Sequence, residues 1–377
     1  MYIKRAVEES IKSSLFKSKV IIVYGARQVG KTTLVKSIAS GLNQPFSYLN
    51  CDENDILNQL QNADTSSALK AIVGNNKLVI IDEAQRVKNI GLKLKLLVDN
   101  YSDQQIIATG SSSFELSNEI NEPLTGRSFE YWLFPFSLSE IVAQKSSPEF
   151  NRELENILIY GLYPDVYQTT SIEDKSLRIK YLANNYLYKD ILKFNDLKSS
   201  GAVLKLLQAL ALQIGNEVSY NELASIVGIS KQTVENYISL LEKAFIIFRL
   251  SPYSTNLRKE LGKLRKVYFL DLGIRNAIIN NQNGLNLRDD IGKLWENFII
   301  AEKYKAQFGP GFKTNFYFWR TYDQQEVDLV EDRGGKLQGW EIKWTDKKGK
   351  IPSTWAENYP KASWEIINRD NYIDTLS

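Results

Sequence analysis

The sequence predicts an α/β protein: a parallel-sheet core at the N-terminal end, a helical segment, a small mixed unit and a second α/β unit at the C-terminal end. Three observations predict it. Residues 20–24 (VIIVY) form a β-branched and aromatic run that leads at once into Gly25–Thr32, which reads G-x-x-x-x-G-K-T. Residues 77–83 (KLVIIDE) are an apolar run ending in two carboxylates, and Asp328 is separated by twelve residues from the E-x-K of Glu341 and Lys343. The first pattern asks for a buried strand, a tight turn and a helix; the second for a strand with a polar carboxyl end; the third for a hairpin with charges on one face.

Composition narrows the chemistry. At 377 residues there is enough chain for two or three domains, and 43% apolar with 24% charged residues is ordinary for a globular protein. Forty-seven Lys and Arg against 44 Asp and Glu leave a formal charge of +3, so any nucleic-acid surface must be a local basic patch. Cys51 is the single cysteine and histidine is absent, which excludes an intrachain disulfide framework, imidazole catalysis and zinc sites of the His or multi-Cys kind. A metal must then sit on oxygen ligands, which favours Mg²⁺ or Mn²⁺. Ile3, Val7, Ile11 and Leu15 follow helical spacing among charged residues, the mark of an amphipathic helix rather than a signal peptide. No run reaches membrane-spanning length, so the expectation is a cytoplasmic protein with no membrane partner.

The Gly25–Thr32 stretch is a phosphate-binding loop. Gly25 and Gly30 let the backbone turn so that the N–H groups of Ala26, Arg27, Gln28 and Val29 point inward at a polyphosphate, and the helix that follows, opening through Thr32 and Thr33, adds its positive end. Lys31 reaches the β- and γ-phosphates and the Thr32 hydroxyl ligates Mg²⁺. The expected ligands are ATP and Mg²⁺. A second strand is expected at 46–49, then an acidic helical segment from Asp52 to about Ala71. Asp82, at the carboxyl end of its strand, is placed to hold Mg²⁺, and Glu83 to orient and activate the attacking water. A fourth strand over 105–110 ends in Ser111–Ser113, where a hydroxyl either meets the γ-phosphate or caps the next helix. Arg127 is a candidate to neutralise charge on the transferring phosphoryl group.

These residues resemble AAA-type ATPases: GARQVGKT as phosphate loop, LVIIDEAQ as metal and water strand, ATGSSS as sensing strand. More closely, the chain resembles a bacterial family of predicted ATPases that joins such a module to a C-terminal domain similar to restriction-endonuclease folds. Leu124–Arg127 with Phe136, Ser137 and Glu140, then Gly161–Pro164 and Tyr188–Asp190, carry the likeness further. Lys189 departs from it, standing where the family more often has arginine; lysine keeps the charge and loses the bidentate fork. From Phe136 to about Phe194 the pattern is helical, which suits the lid that follows the core in such ATPases; hydrolysis is expected to need Glu83, with an arginine from a neighbouring subunit of a homo-oligomer as a further candidate.

Lys198–Gly201 breaks the periodicity and reads as a linker. Beyond it, Val203–Ile214 is apolar and helical, Ser219 with Glu222 opens a short helix, Gly228 makes a turn, and Ser230 caps another helix through Ala244. Two strands follow, 245–249 and 266–270. This is a winged-helix pattern. Its second helix presents Lys231, Gln232, Thr233 and Asn236, types suited to base edges or phosphates. The inter-strand connection carries Arg258, Lys259, Lys263, Arg265 and Lys266, a phosphate-binding wing. Such units also serve as protein-packing modules, and both readings stay open.

After an Asn-rich stretch, 280–286, expected to be flexible, a helix carries Glu296 near its start. Strands are expected at 316–320 and 326–330, with a turn at 332–335 and a return strand over 337–344. On that strand Glu341 and Lys343 share a face, and Asp328 on the neighbouring strand approaches Glu341, which places two carboxylates to share a divalent metal while Lys343 positions a water. Arg320 either binds a phosphate or pairs with Glu326. The set Glu296, Asp328, Glu341 and Lys343 is similar to the catalytic core of restriction-endonuclease-like nucleases, with Val327 where many members have proline. The expected domains are an ATPase core (1–135), a helical lid (136–198), a winged-helix unit (199–275) and a restriction-endonuclease-like domain (285–377). Two functions follow: an ATP-driven enzyme that acts on DNA and cuts it, or a nucleotide-dependent switch that binds DNA or a partner protein without cutting.

Overall fold

The computed structural model describes residues 2–110, 123–145, 147–191, 200–254, 265–308, 314–345 and 349–376. Two compact units divide the chain: Met1–Phe134 with Lys243–Phe245, and Pro135–Glu242 with Ile246–Ser377.

In the first unit, strands β1 (Val20–Gly25), β2 (Phe46–Asn50), β3 (Leu78–Asp82), β4 (Gln105–Gly110) and β5 (Ser128–Leu133) form one sheet in the order β2-β3-β4-β1-β5. Every pairing is parallel. β1, β3 and β4 are buried along their whole length, as a sheet covered on both faces requires. Helices α1 (Glu8–Ser13), α2 (Lys31–Gly41), α3 (Asn54–Asn62), α4 (Ser66–Val73) and α5 (Ile90–Asn100) make the connections and flank the sheet. The acidic helical stretch is thus two helices, because Ala63 leaves the helical conformation and Thr65 caps the next turn by accepting from Ala68 N–H. β5 lies outside the sequence expectation; its half-buried face lacks the continuous apolar run of β1 or β3.

The N-terminal expectation needs a correction. Ile3, Val7, Ile11 and Leu15 are buried, but the helix begins only at Glu8. Burial alternates over residues 2–7, so Arg5 points inward with Ile3 and Val7.

The second unit opens with helices α6 (Leu138–Val142), α7 (Ser147–Tyr160), α8 (Pro164–Tyr167) and α9 (Ile172–Ile191). Then come α10 (Ser200–Leu212), β6 (Glu217–Val218), α11 (Tyr220–Val227), α12 (Lys231–Lys243), β7 (Ile247–Pro252) and β8 (Arg265–Phe269). Ser200 and Gly201 belong to α10 and so are helix rather than linker; residues 192–199 lie outside the described residues. Ser219 accepts from Glu222 N–H, Gly228 closes α11 at φ 78°, and Ser230 accepts from Thr233 N–H at 3.1 Å.

The chain goes on through α13 (Leu272–Ile278), α14 (Ile291–Ala306), β9 (Asn315–Arg320), β10 (Glu326–Arg333), β11 (Lys336–Ile342), α15 (Ser353–Asn358), β12 (Ser363–Ile367) and α16 (Tyr372–Leu376). A seven-stranded sheet, β12-β11-β10-β9-β7-β8-β6, runs through the unit, with a short parallel pairing of β7 to β9 joining its two parts. Residues 280–286 are not loose: Asn281 N–H donates to Asn276 O, Arg288 donates to Asn281 O, and Leu285 N–H donates to Glu155. Among the described residues no helix is long and apolar enough to cross a membrane.

Candidate functional site

At the carboxyl edge of the first sheet, β4 lies between β1 and β3. The loop after β1 and the acidic end of β3 therefore face each other across one strand, the crevice where open parallel sheets bind ligands. Gly25 closes β1 where a Cβ would stand 2.2 Å from Leu133 O, so only glycine fits. Gln28 and Gly30 take left-handed conformations, φ 62° and 95°, which turn the loop into α2. Ala26 and Val29 are buried, while Gln28 and Thr33 are exposed. Lys31 is 5% exposed, and its ammonium donates to Gly25 O and Ala26 O, both at 2.9 Å.

Hydroxyls converge on Asp82. Thr32 Oγ1 donates to Oδ2 at 2.7 Å, Tyr48 Oη to the same oxygen at 2.6 Å, and Thr109 Oγ1 makes a short bond to Oδ1. Burial raises the carboxyl's pKa, but the donors Thr109, Tyr48 and Thr32 together with the Lys31 charge outweigh it, and the net shift is downward. Asp82 thus stays an anion beside the Thr32 hydroxyl. An oxygen pair of this kind fits a hard cation such as Mg²⁺. Glu83 sits in a left-handed conformation at φ 53°; its N–H donates to Thr109 Oγ1 at 3.2 Å and its carboxylate accepts from Gln85 Nε2 at 2.6 Å. A left-handed backbone is strained for a residue other than glycine, and the Gln85 amide tethers the Glu83 carboxylate.

Three contributors were not apparent from the sequence: Tyr48, Thr109 and Arg5. Arg5 is buried, and its guanidinium donates to Val29 O in the loop at 2.7 Å and to Phe134 O after β5 at 2.6 Å. Extended spacing over residues 3, 5 and 7 was the signal for it. Arg127 needs correction. It precedes β5 at the amino edge of the sheet, where its carbonyl accepts from Val20 N–H and Nε donates to Asp99 at 2.7 Å. The loop lies a strand's length away, about 17 Å at ~3.3 Å per residue, so Arg127 does not serve the phosphate loop of its own chain. Ser111 lies outside the described residues.

In the second unit Lys231, Gln232 and Asn236 are exposed on α12, with Thr233 half-buried. Arg258, Lys259 and Lys263 lie outside the described residues, and Arg265 opens β8 half-buried. Lys266 is no wing residue: it is 1% exposed and points into the protein.

The C-terminal acidic set is brought together. The β10–β11 hairpin turns on Gly334 and Gly335, both left-handed, and pairs Leu329 with Trp340. Asp328 and Glu341 thereby come within electrostatic reach, and Asp328 also feels Glu296 of α14. Burial first, then these two charges, pushes the Asp328 carboxyl well above the ordinary range. Each carboxylate, however, already has protein partners. Asp328 Oδ2 accepts from Ile342 N–H at 2.8 Å, and Glu341 is in a close ion pair with Lys343. Glu296 accepts from Lys266 at 3.2 Å, Tyr268 at 2.7 Å and Lys293 at 3.3 Å. Arg320 takes the pairing role, 3.1 Å from Glu217 and 3.8 Å from Glu326. Among the described residues no three His, Cys, Asp or Glu side chains are arranged to hold a metal ion.

Residues 17–142, which include the sheet with the Gly25–Thr32 loop, match the AAA domain. Residues 151–285 match a domain of unknown function (DUF8612) and residues 291–365 another (DUF4143). An uncharacterized protein of Mycobacterium tuberculosis is 26% identical over 345 residues, covering 91% of this chain and 74% of the relative. One from Methanocaldococcus jannaschii is 28% identical over 355 residues, covering 83% and 73%. Among solved structures, Pif1 helicase from Candida albicans overlaps 48% of each chain at 17% identity and a TM-score of 0.26, and Drosophila ORC bound to DNA overlaps 69% of this chain at 12% and 0.25. At such TM-scores neither overlap bears on the fold.

Proposed function

We propose that the protein binds and hydrolyses ATP at Gly25–Thr33 and uses the cycle to control contact with DNA, as a nucleotide-dependent switch. The observation that carries this reading is the convergence of Thr32, Tyr48 and Thr109 on Asp82, one strand from the phosphate loop. On ATP binding the Lys31 ammonium leaves Gly25 O and Ala26 O for the phosphates, and the loop N–H groups take up their charge. Thr32 and Asp82 would hold Mg²⁺, which when bound neutralises charge on the β- and γ-phosphate oxygens. Glu83, oriented by Gln85, accepts a proton from the attacking water. An arginine from a second copy of the chain supplies the remaining positive charge. In the second unit the order α10-β6-α11-α12-β7-β8 is read as a winged helix whose α12 meets DNA through Lys231, Gln232 and Asn236, with Arg265 at the edge.

The test is phosphate release together with nucleotide binding. Lys31→Ala is expected to lose both, and Glu83→Gln to lose hydrolysis by ~100-fold or more while still binding ATP. Unchanged hydrolysis in Glu83→Gln would remove the assignment. A second reading, DNA cleavage with a divalent metal, is favoured by the grouping of Asp328, Glu341 and Lys343, with Glu296 behind them. Cutting of DNA in Mg²⁺ or Mn²⁺ that disappears in Asp328→Ala would establish it.

A further inference from the structure

Lys266 is an unusual occupant for the middle of an acidic set. Its ammonium lies 3.2 Å from Glu296 Oε1, makes a close ion pair with Glu326, and stands 5.5 Å over the Phe318 ring. Nothing in its position is adventitious. β8 pairs antiparallel with both neighbours, Lys266 opposite Glu217 of the short edge strand β6 on one side and Leu250 of β7 on the other, so its backbone is held by pairing on both sides. Burial favours loss of the proton, but the surrounding carboxylates outweigh it and the group stays charged. Glu296 is meanwhile capped by Tyr268 and Lys293, and Glu341 by Lys343.

We propose that Lys266 is the built-in cation of the C-terminal acidic set, and that Glu296, Asp328 and Glu341 take no divalent metal while its ammonium is in place. A divalent ion entering between Asp328 and Glu341 would meet this fixed positive charge and would compete for Glu296 and Glu341, which are already ion-paired. The C-terminal unit then holds the residue types of a metal site in a metal-independent arrangement. This goes beyond the ATPase reading, does not depend on it, and opposes the cleavage reading.

The test is Mn²⁺ binding to the full chain without nucleotide, followed by electron paramagnetic resonance of the free ion. Wild type and Asp328→Asn are expected to bind equally, meaning that no site depends on Asp328. Lys266→Met and Lys266→Gln, checked for folding by circular dichroism, are expected to gain one site at least tenfold tighter than any in wild type. That site should vanish again in Lys266→Met with Asp328→Asn. A wild-type site lost in Asp328→Asn overturns the proposal, and so does a folded Lys266 variant with no gain. If neither variant folds, the wild-type comparison alone decides. ATP hydrolysis plays no part in the readout, so a failure here is separate from a failure at the phosphate loop.

Discussion

Arg5 is the residue whose role is least expected from its neighbourhood in the chain. One buried guanidinium ties Val29 O of the phosphate loop to Phe134 O beyond β5. Removing it breaks both bonds, and a buried acceptor that loses its donor costs about 1–3 kcal/mol. Arg5→Met is expected to lower the thermal midpoint and to weaken ATP binding about tenfold, ~1.4 kcal/mol; isothermal titration against wild type checks the second effect, and unaltered affinity would mean that Arg5 supports β5 alone. Asp328 gives a pH prediction. An ordinary aspartate titrates near ~3.9, and in the folded chain this one is raised by burial and by Glu296 and Glu341. A raised acid binds its proton more tightly when folded, so its contribution is full below about pH 4 and is lost as pH rises through the folded value. Asp328→Asn, which keeps an acceptor for Ile342 N–H, is expected to raise the melting temperature at pH 8, with the gain shrinking towards pH 4. A gain that grew on acidification would contradict the sign.

At the scale of elements, α12 has a clear division of labour. Val234, Tyr237, Ile238 and Leu241 are buried, which fixes the helix and leaves Lys231, Gln232 and Asn236 to solvent. If this face meets phosphates, Lys231→Glu should weaken DNA binding across sequences and reduce the slope of log affinity against log salt by about 1. Fluorescence anisotropy at several salt concentrations measures it; an unchanged slope would place the contact elsewhere. The helical caps at Ser219, Gly228 and Ser230 were legible because each is a short-range rule. β5 was not, since a strand at the sheet edge with one half-buried face lacks the continuous apolar run of β1 or β3.

For the molecule as a whole, the nucleotide site lies within the unit formed by Met1–Phe134 and Lys243–Phe245, and the acidic set within the other. Ligand binding stabilises only the structure that holds it, by ~2.7 kcal/mol at about a hundredfold excess over Kd. ATP with Mg²⁺ is therefore expected to raise the calorimetric transition of the first unit, with hydrogen-exchange protection gained at residues 25–33 and 82–85. Lys31→Ala should show neither change. Protection confined to the second unit would overturn the site assignment.

The sequence by itself determined the phosphate loop after β1, the carboxylate pair at the end of β3, the two capped helices and the Gly-Gly hairpin that brings Asp328 near Glu341. These are local: strand period, glycine conformation and helix caps act over a few residues, so composition and spacing suffice. Only the tertiary structure decided which groups surround them. Arg5 is 129 residues from Phe134, Tyr48 is 34 from Asp82, and Lys266 is 30 from Glu296. Such meetings depend on sheet order and register. Lys266 is the sharpest case: among the basic residues of its neighbourhood it reads as a solvated charge, and β-sheet pairing on both sides turns it inward, where only carboxylates make its burial tolerable.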